Sequence, residues 1–248
     1  MGRKGEEVVL LYIYAFVTGI VFGSFYLVVA LRVPRGESII TPRSYCPHCQ
    51  HRLQPKELIP ILSFCMQSGR CKHCKRKIPY TYPIVELITG SLFLISVCMV
   101  GVEQELIVIC TLFSLLVMIT LTDLFYMMIP NAVLLSFSCI FLIEYMISPF
   151  IFWLDSVLGG GIIFCVLYIL RMIYPNGLGG GDVKLLSLLG FVLGIKGILI
   201  TLCIASCSSL CFLGICFLFK RMNIRDPLPF GPFIALGTIC YVAIKFLE

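Results

Sequence analysis

Apolar stretches near the length of a bilayer span, separated by short polar breaks, occupy almost the whole chain. They fall at about residues 8–31, 84–101, 106–122, 130–148, 151–171, 185–196, 198–219 and 231–247. About 20 apolar residues carry a helix across the hydrocarbon core, so the pattern predicts eight spans, the sixth short enough to be tilted or half-embedded. Helices satisfy their own backbone hydrogen bonds in lipid, which open strands do not. The expected fold is therefore an all-α polytopic membrane protein of about eight transmembrane helices. One long polar segment interrupts it, Pro34 to Pro83. The expected organisation is a first transmembrane helix at 1–33, a loop at 34–83 and a transmembrane domain at 84–248.

Composition agrees with this pattern. Only 13% of the 248 residues are charged, against about 25% in soluble domains. The 19 Lys and Arg are unevenly placed, and nine of them lie in the 34–83 loop, opposed only by Glu37 and Glu57. Basic loops stay in the cytoplasm, which puts that loop inside and the N-terminus outside. Alternation then places 15 of the 19 cations on the cytoplasmic side, including Arg171, Lys184, Lys220, Arg221 and Arg225. A cleaved signal peptide is not expected, because the run from Val8 to Val33 exceeds a signal's apolar core. Glu6 also stands where a myristoylation signal needs Ser or Thr.

The 14 cysteines divide into two groups. Ten lie in apolar surroundings and read as buried small hydrophobes. Cys203, Cys207 and Cys211 share one helix face, where small residues favour close helix packing. The other four form two C-x2-C pairs, Cys46 with Cys49 and Cys71 with Cys74, 21 residues apart. That is close to zinc-ribbon spacing. A reducing cytoplasm disfavours disulfides as the alternative. A loop with little apolar surface needs such a staple, so a structural Zn2+ held by four thiolates is expected.

Two acids carry the candidate chemistry. Asp123 ends one apolar stretch, and Asp182 follows the glycines Gly179, Gly180 and Gly181. A carboxylate in a membrane segment is costly and marks a functional site by default. The topology puts both on the cytoplasmic side, where they form a candidate catalytic pair. Taken alone, Asp182 reads as a helix cap after a flexible loop, and Asp123 as an interfacial acid before Pro130. Asp155 and Glu144 fall toward the outer face and make poor partners. Glu86, near the start of the second span, is a candidate for a second site. The glycine run lacks the Gly-Lys-Ser/Thr ending of a phosphate loop. No dinucleotide-type fingerprint is present either.

Several of these pieces recur together in one known family. Gly23-Ser24-Phe25, Arg32-Val33-Pro34, Pro42-Arg43-Ser44 and Glu57-Leu-Ile-Pro-Ile-Leu-Ser63 come first, with the cysteine pairs interleaved. Gly69-Arg-Cys71, Tyr82-Pro83 with Glu86, Asp123 with Ile129-Pro130-Asn131, Gly179-Gly-Gly-Asp182-Val-Lys184 and Pro229-Phe-Gly-Pro-Phe233 follow in order. In these the chain resembles the type IV prepilin leader peptidase/N-methyltransferases, a family of GxGD aspartyl proteases, and among them the late-competence enzymes of Gram-positive bacteria. The resemblance implies cleavage of the short basic leader of prepilin-like or pseudopilin precursors at the cytoplasmic membrane face. It also implies N-methylation of the new terminus from S-adenosyl-L-methionine. Asp123 and Asp182 carry over as the catalytic pair, Gly179 to Gly181 as the substrate loop, and the four cysteines as a zinc site tied to methylation. Glu86 is associated with the methylation cofactor. Leu27 stands where many relatives have Asn, and Glu57 where many have Asp; both lie in the half linked to methylation.

These features imply a bacterial cell-membrane enzyme that contacts lipid and pilus or DNA-uptake assembly machinery, without direct nucleic-acid binding. Two other classes share some of the features. An ion-coupled transporter also uses intramembrane acids and glycine-broken helices, but no inverted repeat is visible between the halves. A non-catalytic zinc-stapled scaffold would function without its aspartates.

Overall fold

A computed structural model of the protein describes residues 2–174, 177–219 and 228–247. Lys220, Arg221 and Arg225, expected as cytoplasmic cations, lie outside the described residues. The described chain is helical, with two isolated bridges and no strand. Its elements are α1 (Gly2–Arg32), a 3-10 turn Val33–Arg35, a second at Pro55–Glu57, α2 (Leu62–Met66), α3 (Thr81–Val100) and α4 (Glu105–Tyr126). Then come α5 (Asn131–Ile147), α6 (Trp153–Ile173), α7 (Gly180–Leu218) and α8 (Gly231–Leu247). Five segments are long and apolar enough to cross a membrane: Glu7–Arg35, Thr81–Val100, Glu105–Tyr126, Trp153–Ile173 and Gly180–Leu218. Asn131–Ile147 and Gly231–Phe246 are shorter apolar helices.

The sixth and seventh expected spans form one run of helix, α7, broken at Gly194 rather than near residue 197. Gly194 has φ 73 and ψ 179, a conformation open to glycine because it lacks a Cβ. The break divides α7 into α7a, 180–193, and α7b, 195–218. Counting the two halves, the described residues form eight apolar helical segments.

The chain forms two compact units, Met1–Leu106 and Ile107–Glu248. In the first, α1 packs on α3 through glycine. A Cβ on Gly19 would lie 2.7 Å from the Thr89 carbonyl oxygen, and one on Gly90 2.8 Å from Ile20. Gly23 faces Thr89 and Glu86 in the same way. Residue numbers rise along α1 as they fall along α3, so the two helices are antiparallel. Lipid gives helices no hydrophobic reason to associate, so small residues that admit close backbone contact take over that role.

The second unit uses the same device twice. Gly159 and Gly190 bring α6 against α7a, where a Cβ on either would sit 2.5 Å from the other's carbonyl oxygen. Gly237 brings α8 against α7b, 2.5 Å from the Thr201 carbonyl oxygen. The core is supplied largely by α4, through Leu112, Phe113, Leu115, Leu116 and Ile119, and by α7a, through Leu185, Leu186 and Leu189.

The cysteines expected to be buried are not. Seven of those ten are exposed on the chain and the other three half-buried. Cys203, Cys207 and Cys211 are exposed on α7, because glycine and alanine hold the α7–α8 contact instead. The face that these cysteines share is left outward.

Gly159→Leu is expected to drive α6 off α7a, lowering stability by about 1–3 kcal/mol as in other overpacked interiors. Gly161 has nothing within 4 Å of its Cβ position, so Gly161→Leu is the matched control and is expected to melt like wild type. Thermal unfolding in detergent distinguishes the two.

Candidate active site and metal centre

Asp123 lies in the last turn of α4. A carboxylate there meets the negative end of the helix dipole, which is unfavourable. The N-terminus of α8 offsets this, since Asp123 Oδ2 accepts a 2.6 Å hydrogen bond from the Gly231 amide. The carboxyl approaches so closely because residue 231 has no side chain. A Cβ there would lie 2.9 Å from Oδ2. The Pro229-Phe-Gly-Pro-Phe233 motif thus delivers an unpaired helix-start amide to a buried acid, and Asp123 is only 7% exposed.

Asp182 is the third residue of α7, after the N-cap Gly179. Its carboxyl reaches back to the Gly179 amide, the return half of a capping box. Gly180 and Gly181 belong to the first helical turn, so the expected loop is the start of a helix. The glycines serve close packing there. A Cβ on Gly181 would lie 2.7 Å from Ile129 Cβ, and the Arg171 guanidinium fills the space beside Gly180. Lys184 Nζ donates to Asn131 Oδ1 at 2.7 Å. The segment after α4 therefore docks on the first turns of α7 through Ile129 and Asn131. This brings Asp182 into electrostatic reach of Asp123.

Sequence order alone gives no reason for α8 to join this site. The signal that finds it is Gly231 next to Pro232, a helix start whose first amide is free and unshielded. Asp155 is likewise used structurally, because its Oδ1 accepts from the Ile195 amide at 3.1 Å. Glu144 accepts from the Thr111 hydroxyl at 2.6 Å.

In the first unit the cysteine pairs form two matching knuckles. Gln50 N donates to Cys46 O at 2.8 Å and Cys46 N to His51 O at 3.0 Å. Lys75 N to Cys71 O at 2.9 Å and Cys71 N to Arg76 O at 2.8 Å repeat the pattern. Gln50 and Lys75 both turn back with positive φ, 54 and 59. The four sulfurs lie within 4.8 Å of one another, with Cys46–Cys74 at 3.8 Å and Cys49–Cys71 at 4.0 Å. A tetrahedral ion bound at about 2.3 Å by each sulfur needs sulfurs about 3.8 Å apart, so the residues fit a metal. Burial pushes the Cys46 thiol up. The Cys49 and His48 amides and the Cys49 and Cys71 thiols outweigh it and bring Cys46 down to about 7. The His51 amide favours the Cys49 thiolate, but desolvation and the Cys46, Cys74 and Cys71 sulfurs push it up to about 11. Four sulfurs at this spacing are a set ready for a cation.

Glu86 is 5% exposed on α3, and its Oε2 accepts from the Ile61 amide at 2.7 Å. Ser24 of α1 also bonds to it. Ile61 has φ 61 and ψ −53, and Leu62 N donates to Pro60 O at 2.6 Å. This is the rare γ-turn, here with a β-branched residue at its centre, a strain of order 1–3 kcal/mol. Glu86 and Ser24 therefore anchor the turn between the metal knuckles to the helices of this unit. Beside the knuckles a cavity of about 250 Å³ is lined by His51, Gln54, Glu57, Lys72 and His73.

Fold and site together define a polytopic helical membrane protein with a buried Asp123, a half-buried Asp182 beside it and a four-cysteine centre. The bacterial peptidase A24 N-terminal domain profile matches residues 17–100, and that of the type IV leader peptidase family matches 110–215. The chain is 39% identical to the prepilin leader peptidase/N-methyltransferase of Bacillus subtilis (strain 168), over 90% of each chain. It is 32% identical to the type 4 prepilin-like proteins leader peptide-processing enzyme of Escherichia coli O78:H11, over 95% of this chain and 94% of that one. The Burkholderia pseudomallei (strain 1026b) prepilin leader peptidase/N-methyltransferase shares 29% identity, over 90% and 82%. No solved structure matches significantly. The chain belongs to the prepilin leader peptidase/N-methyltransferase family.

Elemental analysis of the purified protein is expected to find about one equivalent of a thiophilic divalent cation per chain. Cys71→Ser is expected to lose it. Cys203→Ser, outside the cluster, is expected to retain it.

Proposed function

We propose that this protein cleaves the basic leader of prepilin-like precursors with Asp123 and Asp182 as its catalytic pair, and then N-methylates the new terminus. The reading rests on one observation above the others: two carboxyls of the second unit lie within electrostatic reach of each other, each taking an amide at a helix start. Neighbouring carboxylates resist simultaneous ionisation, so at working pH the pair shares a proton and titrates as a unit. The ionised member takes a proton from a water whose oxygen attacks the scissile carbonyl carbon. The protonated member donates to the carbonyl oxygen. The roles reverse as the carbon–nitrogen bond breaks and the leaving nitrogen takes a proton. An extended substrate strand meets the start of α7 at Gly179, the exposed glycine of the three, beside Gly180 and Gly181, which Arg171 and Ile129 already pack. The charge pattern supports a multi-pass protein of the bacterial cell membrane with this site on the cytoplasmic face, where a basic leader would remain.

The cation of the four-cysteine centre is Zn2+, which holds the 34–83 loop in shape. The methyl donor is S-adenosyl-L-methionine, which supplies an electrophilic methyl group. The cavity beside the knuckles fits the donor's amino-acid end, with Lys72 for its carboxylate and Glu57 for its ammonium. Glu86 serves this half by holding the Ile61 turn in place. The precursors are the prepilin-like proteins of a pilus or DNA-uptake machine, and the basic loop lies against anionic lipid.

Intact mass of a co-expressed prepilin-like precursor tests both activities. Wild type is expected to remove the leader and add one methyl group. Asp123→Asn and Asp182→Asn are each expected to lower cleavage by about 10³-fold or more, the scale of a lost member of a catalytic unit. Cleavage at the wild-type rate by either variant refutes the pair.

A further inference from the structure

The second unit holds its two site acids on two different packed bodies, which meet at the break in α7 and again at the Ile129 and Asn131 contacts. Asp182 rides on α7a, which is clamped to α6 by the Gly159–Gly190 and Gly160–Ser187 contacts. Asp123 is tied to the start of α8 through Gly231, and α8 is packed on α7b through Gly237 and through Tyr241 against Gly197. The bodies meet at Gly194, where α7 leaves helical geometry. Such a break strands the first amides of α7b. Asp155, in the first turn of α6, takes the Ile195 amide with Oδ1 and lies directly against Gly194 with Oδ2. Tyr241 of α8 is within its electrostatic reach. Asp155 thus touches the body that carries Asp182 and the body that carries Asp123.

The lever is long. Twelve helical residues separate Asp182 from Gly194, about 18 Å at 1.5 Å per residue, so a change of about 10° at the joint moves Asp182 by about 3 Å. Misplacing a catalytic group by about 1 Å can cost about 10²-fold in rate. Ile129 and Asn131 hold the far end of α7a, but through an apolar contact and one lysine hydrogen bond.

We propose that Asp155 is a positioning residue of the peptidase: by holding the Ile195 amide it fixes the angle between the two halves of α7, and with it the placement of Asp182 against Asp123. The proposal rests on the aspartyl-pair reading above. It requires an acceptor oxygen at position 155, not a negative charge.

The test uses the full-length protein in detergent micelles with a purified prepilin-like precursor, comparing wild type, Asp155→Asn, Asp155→Ala, Gly194→Ala and Asp182→Asn. Asp155→Ala is expected to lower kcat about tenfold or more with KM within about twofold, in protein that keeps its bound metal and wild-type melting. Asp155→Asn keeps the acceptor and is expected to restore most of kcat. Gly194→Ala, whose Cβ runs into Asp155, is expected to match or exceed the Asp155→Ala loss. The proposal is overturned if Asp155→Ala cleaves like wild type, or if Asp155→Asn is as impaired as Asp155→Ala. If Asp155→Ala does not fold, the other two joint variants decide. Activity kept in Asp155→Asn and lost in a normally melting Gly194→Ala supports the joint, and any other pattern refutes it. Cleavage by Asp182→Asn overturns the aspartyl-pair reading itself and is seen independently of every Asp155 result.

Discussion

A carboxyl group inside an apolar helical bundle must find hydrogen-bond donors without water and, in this chain, almost without cations. Among the described residues, the only ion pairs are the exposed Arg35–Glu37 and a His51–Glu57 approach in the polar loop. Glu144 takes the Thr111 hydroxyl, and for Asp123, Asp155 and Asp182 the donors come from the starts of helices, whose first amides have no partner in their own helix. Asp123 takes the first amide of α8, Asp155 that of α7b and Asp182 that of the α7 N-cap. Glu86 takes the amide of a strained turn. The positions of the acids and the positions where helices begin are thus one arrangement. Moving a helix start by a turn would strand a carboxyl, and replacing a carboxyl would strand an amide.

Glycine makes this arrangement compact. At Gly231 and Gly181 a side chain would push the helix start away from the acid or from its docking segment. At Gly159 and Gly190 it would separate the helices that carry the joint. Close backbone contact also gives these helices their affinity in lipid, so packing and site geometry depend on the same small residues. Gly194 is the one residue of α7 with non-helical dihedrals, and the two bodies meet there.

The first unit follows a different logic. Its polar loop has little apolar surface to bury, and two C-x2-C knuckles bring four sulfurs together in the arrangement that small metal domains use for a staple. Beyond the staple, Glu86 and Ser24 draw the Ile61 turn onto α1 and α3. The family's N-terminal profile covers this half and its peptidase profile covers the other. Each half therefore has its own source of order.

The eight apolar segments, the helical class, the four cysteines and the two aspartates were all legible in the chain, for a shared reason. Span length, C-x2-C spacing and an acid in an apolar run are local patterns, and lipid or a metal imposes the same solution on them almost regardless of context. Other features were not local. The glycine run before Asp182 looked like a loop and is the start of a helix, because Ile129 and Arg171 occupy the space its side chains would take. Cys203, Cys207 and Cys211 looked like packing residues and are exposed, because Gly237 and Ala205 made the α7–α8 contact instead. Asp155 looked like an outer-face acid and a poor partner for the catalytic pair. It holds the break in α7 because residues 40 positions apart in sequence meet there. Sequence by itself determined which residue types were available for chemistry and which segments had to be helices in a membrane. Tertiary structure decided which amide meets which acid, since that depends on where one helix ends against the start of another, a relation no local pattern encodes.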